Sequence, residues 1–333
     1  MTYARKSLIC LQDTPYYHCV ARCVRRAWLW GFDQYAGRDY SHRKTWVLER
    51  LAQLTSVFAI DICGYAIMSN HYHVILHVNC TQARTWTQQE IVERWGELFS
   101  VPATVQQWQR GIAGEAESRA AEALVEQWRA RLQDISWFMR ALNEYLARRA
   151  NAEDDCKGRF WEGRFRSHAL LDEAGLLTAM AYVDANPIRA GIATTPESSQ
   201  FTSIYQRIAE LRSQRDRTPR VDADANPHVP LQRFRSSNSD RAAIPYQLDE
   251  YLELVDWTVR QIRMDRPGSV DDCLPPIMQR LGIDAYAWTV AMRPAGNVFG
   301  RAMGRLSQLR LHARTLGQSW VRGLHKAKHL YAG

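Results

Sequence analysis

The stretch Ser69-Asn70-His71-Tyr72-His73-Val74-Ile75-Leu76-His77-Val78 decides the fold. It reads as a β-strand entered from a tight turn. Tyr72, Val74, Leu76 and Val78 fall on one face by the two-residue repeat of an extended chain; His71, His73, Ile75 and His77 fall on the other. Ile60 to Met68 is a preceding apolar run of strand length, so Ser69-Asn70 closes a hairpin. Further upstream, Tyr16 to Val24 alternates and is rich in β-formers. Arg25-Arg26 and Trp28-Leu29-Trp30-Gly31 follow as a loop, and Trp46, Val47, Leu51, Leu54 and Phe58 then mark one face of a helix.

Downstream, Thr81 to Phe99 has helical spacing through Trp86, Ile91, Trp95 and Leu98. Strand, helix, strand, strand, helix opens an α+β fold: a ferredoxin-like antiparallel sheet with helices on one face. Phe165 to Leu171 is the expected fourth strand. Between them, Glu115 to Ala150 is helical and long for a connection, so it reads as an insertion at about 100–150. Glu173 to Ala185 forms the next helix, stopped by Asn186-Pro187. These elements make residues 1–200 one domain. Residues 201–245, polar and holding Pro219, Pro227, Pro230 and Pro245, read as a linker. A basic helical region occupies 246–333, opened by an amphipathic helix with Leu248, Leu252, Val255, Val259 and Ile262 on one side.

With 46% apolar residues and twelve tryptophans in 333, the chain has enough apolar material for a real core, which excludes a disordered protein. Net charge is +8, and the stretch from Gly300 to Gly333 holds seven basic residues and no acidic one. Such a tail suits contact with a polyanion. Seven scattered cysteines without a Cys-x-x-Cys pair fit reduced thiols rather than a disulfide or zinc framework. The longest apolar stretch, Val57 to Met68, is interrupted by Asp61 and too short to span a bilayer, and Met1 to Tyr17 carries no leader pattern. The expectation is a cytoplasmic, nucleoid-associated protein that does not contact membranes. No Walker-type glycine loop occurs, so no nucleotide cofactor is expected.

Three clusters carry chemistry. His71 and His73 project from one strand face, a placement suited to a divalent cation; a solvated strand face is the plain alternative. Gly158-Arg159-Phe160-Trp161-Glu162-Gly163-Arg164-Phe165-Arg166 interleaves rings and guanidinium groups, which suits single-stranded nucleic acid but also an ordinary turn and edge strand. Tyr182 and Asn186, four apart on a helix ahead of Pro187 and Arg189, share a face. A tyrosine beside a cation-bound phosphate can attack phosphorus, and the Asn186 amide oxygen is a candidate third protein ligand. A core tyrosine and a helix cap are their plain alternatives. Tyr145, on the Asn143-Glu144-Tyr145 helix, is the alternative nucleophile, with Arg149 rather than a ligand four residues on.

Together these residues resemble the REP-associated tyrosine transposases, a branch of the HUH single-strand nucleases and transposases. His71-Tyr72-His73 is similar to the HUH pair, Trp161 with Arg164-Phe165 to a Trp-x-x-Arg-Phe element, and Tyr182 with Asn186-Pro187 to the nucleophile helix. The likeness covers approximately Tyr16 to Gly191, in family order; the segment Val101 to Gln133 is longer than compact members carry. The resemblance implies the HUH nuclease fold, Mg²⁺ or Mn²⁺ on His71, His73 and Asn186, and Tyr182 as nucleophile. It also implies single-stranded and hairpin DNA as partners, met by Arg159, Trp161, Arg164, Phe165, Arg166 and Arg189. Cleavage and rejoining would pass through a 5′-phosphotyrosine, with the protein a monomer or homodimer. A replication initiator or relaxase of the same group, or a non-catalytic nucleic-acid-binding protein, are the competing readings.

Overall fold

Strand β1 (Tyr16–Arg22) runs through the middle of a five-stranded sheet in a computed structural model that describes residues 8–24, 31–33, 37–216, 226–236, 243–263, 274–293 and 300–331. The expected loop at Arg25-Arg26 and Trp28-Leu29-Trp30 lies outside the described residues. A two-residue hairpin, β2 (Phe32–Asp33) and β3 (Arg38–Asp39), leads into helix α1 (Arg43–Val57), then strands β4 (Ile60–Ile67) and β5 (His71–Val78). The later strands are β6 (Arg166–Leu170) and β7 (Ala302–Met303), giving the sheet order β4-β5-β1-β6-β7. β1 is antiparallel to both β5 and β6, β4 is antiparallel to β5, and β7 runs parallel to β6. The first four of these strands have the ferredoxin-like order.

Helix α1 forms because Val47, Leu48, Leu51 and Leu54 recur at helical spacing and all are fully buried. Burying each such side chain contributes roughly 1.5–3 kcal/mol. The Thr81–Phe99 pattern divides into α2 (Cys80–Thr85) and α3 (Gln88–Gly96). Trp86 turns extended, and Thr87 restarts the helix through a capping box with Glu90. The insertion holds α4 (Ala103–Gln109), α5 (Glu115–Arg131) and α6 (Ile135–Glu153), the last capped by Asp134. Trp95 and Trp128 stack with centroids 5.0 Å apart, and Trp137 packs beside Trp95 at 5.6 Å, so aromatic rings tie the insertion to α3.

Residues paired across a pleated sheet share a face. Arg22 pairs with His71, Val20 with both His73 and Arg166, and His18 with both Ile75 and His168. One face therefore carries Arg22, His71, His73, His18, His168 and Arg166. The opposite face carries Tyr72, whose hydroxyl donates to Asn143 Oδ1 at 2.6 Å and so ties the sheet to α6. The histidine face is covered by α7 (Glu173–Asp184), followed after Ala185 by the single turn α8 (Asn186–Arg189). Helices thus surround the ferredoxin-like sheet. Asn186-Pro187 does not end the helical path: Pro187 sits in the first turn of α8, where its missing N–H costs nothing.

Within the expected linker, α9 (Ser203–Asp216) and the segment 226–236 are laid against the outer edge of β4. Gln232 donates its N–H to the Ile62 carbonyl at 2.8 Å, and the Arg207 guanidinium donates to the Cys63 carbonyl at 2.8 Å. Polar residues here satisfy a strand edge, so composition alone reads them as loose chain.

The C-terminal region supplies α10 (Leu248–Arg263), α11 (Pro276–Arg280), α12 (Ala285–Met292), β7, α13 (Leu306–Thr315) and α14 (Leu324–Leu330). It packs onto α7. Tyr331 donates to Thr178 Oγ1 at 2.9 Å, the Tyr251 hydroxyl donates to Asp184, and Arg305 N–H donates to Asp172 Oδ2 at 2.6 Å. Gly175 permits this approach, since a Cβ there would stand 2.6 Å from the Met303 carbonyl oxygen.

Candidate active site

The strand alternation that buries Tyr72 on one side turns His71 and His73 to the other, toward α7 and α8. Their ring centroids are 4.8 Å apart with planes at 75°. At that separation one nitrogen from each ring can reach a common cation at about 2.1 Å. His73 is buried, while His71 lies at the rim. Asn70 Oδ1 stands 2.6 Å from His71 Nδ1; an oxygen there can only accept, so the proton is on Nδ1 and the Nε2 lone pair is available.

Tyr182 and Asn186 reach this pair from the helix above. The Tyr182 ring lies edge-on to His73 with centroids 6.2 Å apart, and Asn186 Nδ2 is 2.7 Å from His73 Nε2. The helical path through Ala185 keeps both side chains on the histidine side despite Pro187. Asp184, between them, points away and is buried, accepting from Ser203 Oγ at 2.6 Å, from Ile204 N–H at 3.0 Å and from Tyr251. Burial pushes its carboxyl above the usual range.

Burial also keeps the histidines neutral. It holds His73 well below the ordinary histidine range, reinforced by His71, His168, Arg189 and Arg22. His71 is lowered to about 4 by burial and by Arg22. Neutral imidazoles are the form that ligates metal. Two imidazoles and the Asn186 amide, once it turns its oxygen rather than Nδ2 toward His73, form a donor set that a divalent cation can use, with its other positions left open. Among the described residues no group of three or more His, Cys, Asp or Glu side chains forms a closed metal site.

The other expected residues divide by face. Trp161 lies on the Tyr72 side: its ring packs edge-on to Tyr72 at 5.7 Å, and Nε1–H donates to the Asn143 carbonyl at 2.9 Å. Its segment pairs with the end of β1, where Cys23 bridges Trp161 and Glu162 N–H donates to the Arg22 carbonyl at 2.9 Å. Arg159, Arg164 and Arg166 are exposed and Phe165 is half-buried; of these Arg166 is on the histidine face. Arg189 departs from expectation. It is buried rather than exposed, with its guanidinium 4.0 Å over the Tyr182 ring and donating to the carbonyls of Met292 at 2.6 Å and Arg293 at 2.8 Å. Tyr145 is on α6, which lies across the face opposite the histidines, and its hydroxyl accepts from Arg149 at 2.6 Å. The sheet itself separates it from the pair.

Two residues escaped the sequence reading. Arg22 shares the histidine face and is exposed beside His71. His18 is fully buried on the same face, with Nε2 2.8 Å from His73 Nδ1. The two-residue repeat of Tyr16–Arg22 places both on one side, a signal that becomes legible only once β1 is known to neighbour β5. A cavity of about 660 Å³ between α9 and α10, lined by Ile204, Ile208, Leu211, Leu252 and Val255, contains none of these residues.

No family model matches the chain, and no curated protein matches it. Among solved structures, it is similar to a REP-associated tyrosine transposase bound to a REP hairpin, with a TM-score of 0.36 and 12% identity over 68% of this chain and 98% of that one. No helix among the described residues is long and apolar enough to cross a membrane.

Proposed function

We propose that this chain is a divalent-metal-dependent DNA strand transferase of the REP-associated tyrosine transposase kind. It would cut single-stranded DNA beside hairpins and hold the 5′ end on Tyr182. One observation carries the reading: Tyr182, Asn186, His71 and His73, drawn from elements more than a hundred residues apart, meet at one place on the sheet. A structural tyrosine and a helix cap do not require two imidazoles beneath them.

Mg²⁺ or Mn²⁺ held by His71, His73 and the Asn186 amide oxygen would polarise a non-bridging oxygen of the scissile phosphate. Arg22 and Arg166, exposed on the same face, bind the backbone on either side and offset charge growing on phosphorus. The Tyr182 oxygen attacks phosphorus, a Tyr–O–P bond forms, and the P–O3′ bond breaks. The departing 3′ oxygen takes up a proton, and the phenol has surrendered one, so charge and atoms balance. Rejoining reverses these steps with another 3′-hydroxyl, and no nucleotide triphosphate is consumed because the ester energy stays in the phosphotyrosine. Arg189 positions the phenol from behind, anchored to carbonyls of the C-terminal region.

Incubating the full chain with hairpin-tailed single strands and Mn²⁺ tests this. The expected result is a covalent protein–DNA band that survives denaturation, is absent with chelator, and is lost in Tyr182→Phe but kept in Tyr145→Phe. An adduct retained in Tyr182→Phe would remove the nucleophile assignment.

A further inference from the structure

His18 has no part in the steps above, yet it sits fully buried at the centre of β1, where a polar ring is costly unless it is hydrogen-bonded. Its ring lies between two others in nearly parallel planes, edge to edge with that of His73. His73 lies 5.1 Å away with planes at 8°, and His168 lies 5.4 Å away with planes at 21°. The row crosses three adjacent strands and ends on the Gly300 carbonyl, which accepts from His168 Nδ1 at 2.5 Å.

The short contact is between His18 Nε2 and His73 Nδ1, at 2.8 Å. Two ring nitrogens that close share one proton, and its owner decides which nitrogen of His73 carries a lone pair. With the Asn186 amide as it stands, Nδ2 faces His73 Nε2 at 2.7 Å and its N–H donates to a bare nitrogen; holding a cation through Oδ1 requires that amide to turn over. The proton therefore belongs to His73 Nδ1, and His18 Nε2 accepts it.

We infer that His18 is a positioning residue: by accepting the Nδ1–H of His73, it fixes that ring's orientation and tautomer so that Nε2 presents its lone pair beside Asn186 and His71. The role as support for a cation rests on the proposed function; the tautomer does not. Asn70 Oδ1 does the same for His71, so both candidate ligands have an acceptor behind them. Such partners are commonly carboxylates or carbonyls. Here one is a neutral imidazole, which brings no negative charge beneath the cation.

The test uses the full chain labelled with ¹⁵N-histidine and free of metal, read by long-range proton–nitrogen correlation, followed by Mn²⁺ titration monitored through the resonance of the unbound ion. His73 should be protonated at Nδ1. His18→Leu should lose that preference and weaken Mn²⁺ binding about 10- to 100-fold, while His18→Gln, whose amide oxygen can accept, should restore most of both. A His73 Nε2–H in the unsubstituted protein overturns the inference without any variant. Unchanged Mn²⁺ affinity in a folded His18→Leu protein overturns it too. If the unsubstituted protein binds no Mn²⁺ through His71 and His73, the proposed function fails; the Nδ1 tautomer would then survive with no cation to serve.

Discussion

Arg189 shows how one side chain can change meaning between sequence and structure. As part of Asn-Pro-Ile-Arg beside a candidate nucleophile, it suggests a phosphate contact; folded, its charge is spent on two main-chain carbonyls and on the face of Tyr182. A guanidinium held this way restricts the phenol and has its donors occupied by main chain. Arg189→Ala should therefore slow adduct formation roughly 10- to 100-fold, the cost of a misplaced reacting group, and leave DNA affinity nearly unchanged. Arg166→Ala should do the reverse, weakening binding before chemistry, and gel-shift and single-turnover measurements on both variants separate the two roles. Tyr182, Asn186, His71 and His73 were legible because each is a chemistry-bearing type at a spacing that fixes its face. His18 was not, because one histidine in an alternating strand looks like any half-buried polar residue until its neighbours are known.

Among the elements, the strand–helix–strand–strand opening was readable from periodicity: β1, β4, β5 and β6 form within two residues of their expected ends, and α1 (Arg43–Val57) forms where Trp46 to Phe58 mark a helical face. β7 was not readable: Ala302–Met303 offers two residues and no alternation. The row of imidazoles across β5, β1 and β6 gives the sheet a pH signature. Burial holds His18 and His73 well below the ordinary range, and His71 and His168 at about 4. Unfolded histidines take up protons below about pH 6.5, so from there down to about 4 the unfolded chain binds more protons than the folded one. Stability should be full above pH 6.5 and fall as pH drops through that window. Melting temperatures that stay level from pH 7 to 4.5 would contradict the neutral row. On the other face, Trp161 links Tyr72 to α6, and Trp161→Ala should cost about 2–4 kcal/mol in denaturant unfolding.

For the whole molecule, the C-terminal region both completes the sheet and supports α7, through β7, Tyr251, Tyr331 and the carbonyls that hold Arg189. Its outer surface keeps Arg310, Arg314, Arg322, Lys326 and Lys328 exposed. If these residues contact phosphates, affinity for hairpin DNA should fall linearly with log salt. Each charge replaced by Gln should then flatten the slope by about 1, with melting temperature unchanged. A slope unaffected by replacing all five would assign that surface another purpose. The most direct test of the account is to digest the denatured protein–DNA adduct with trypsin and sequence the nucleotide-bearing peptide. The nucleotide is expected on Tyr182, within the 167–189 peptide, joined through its 5′ phosphate; a nucleotide on Tyr145, or no adduct with any hairpin-tailed strand in Mn²⁺, would rule out Tyr182 as the nucleophile.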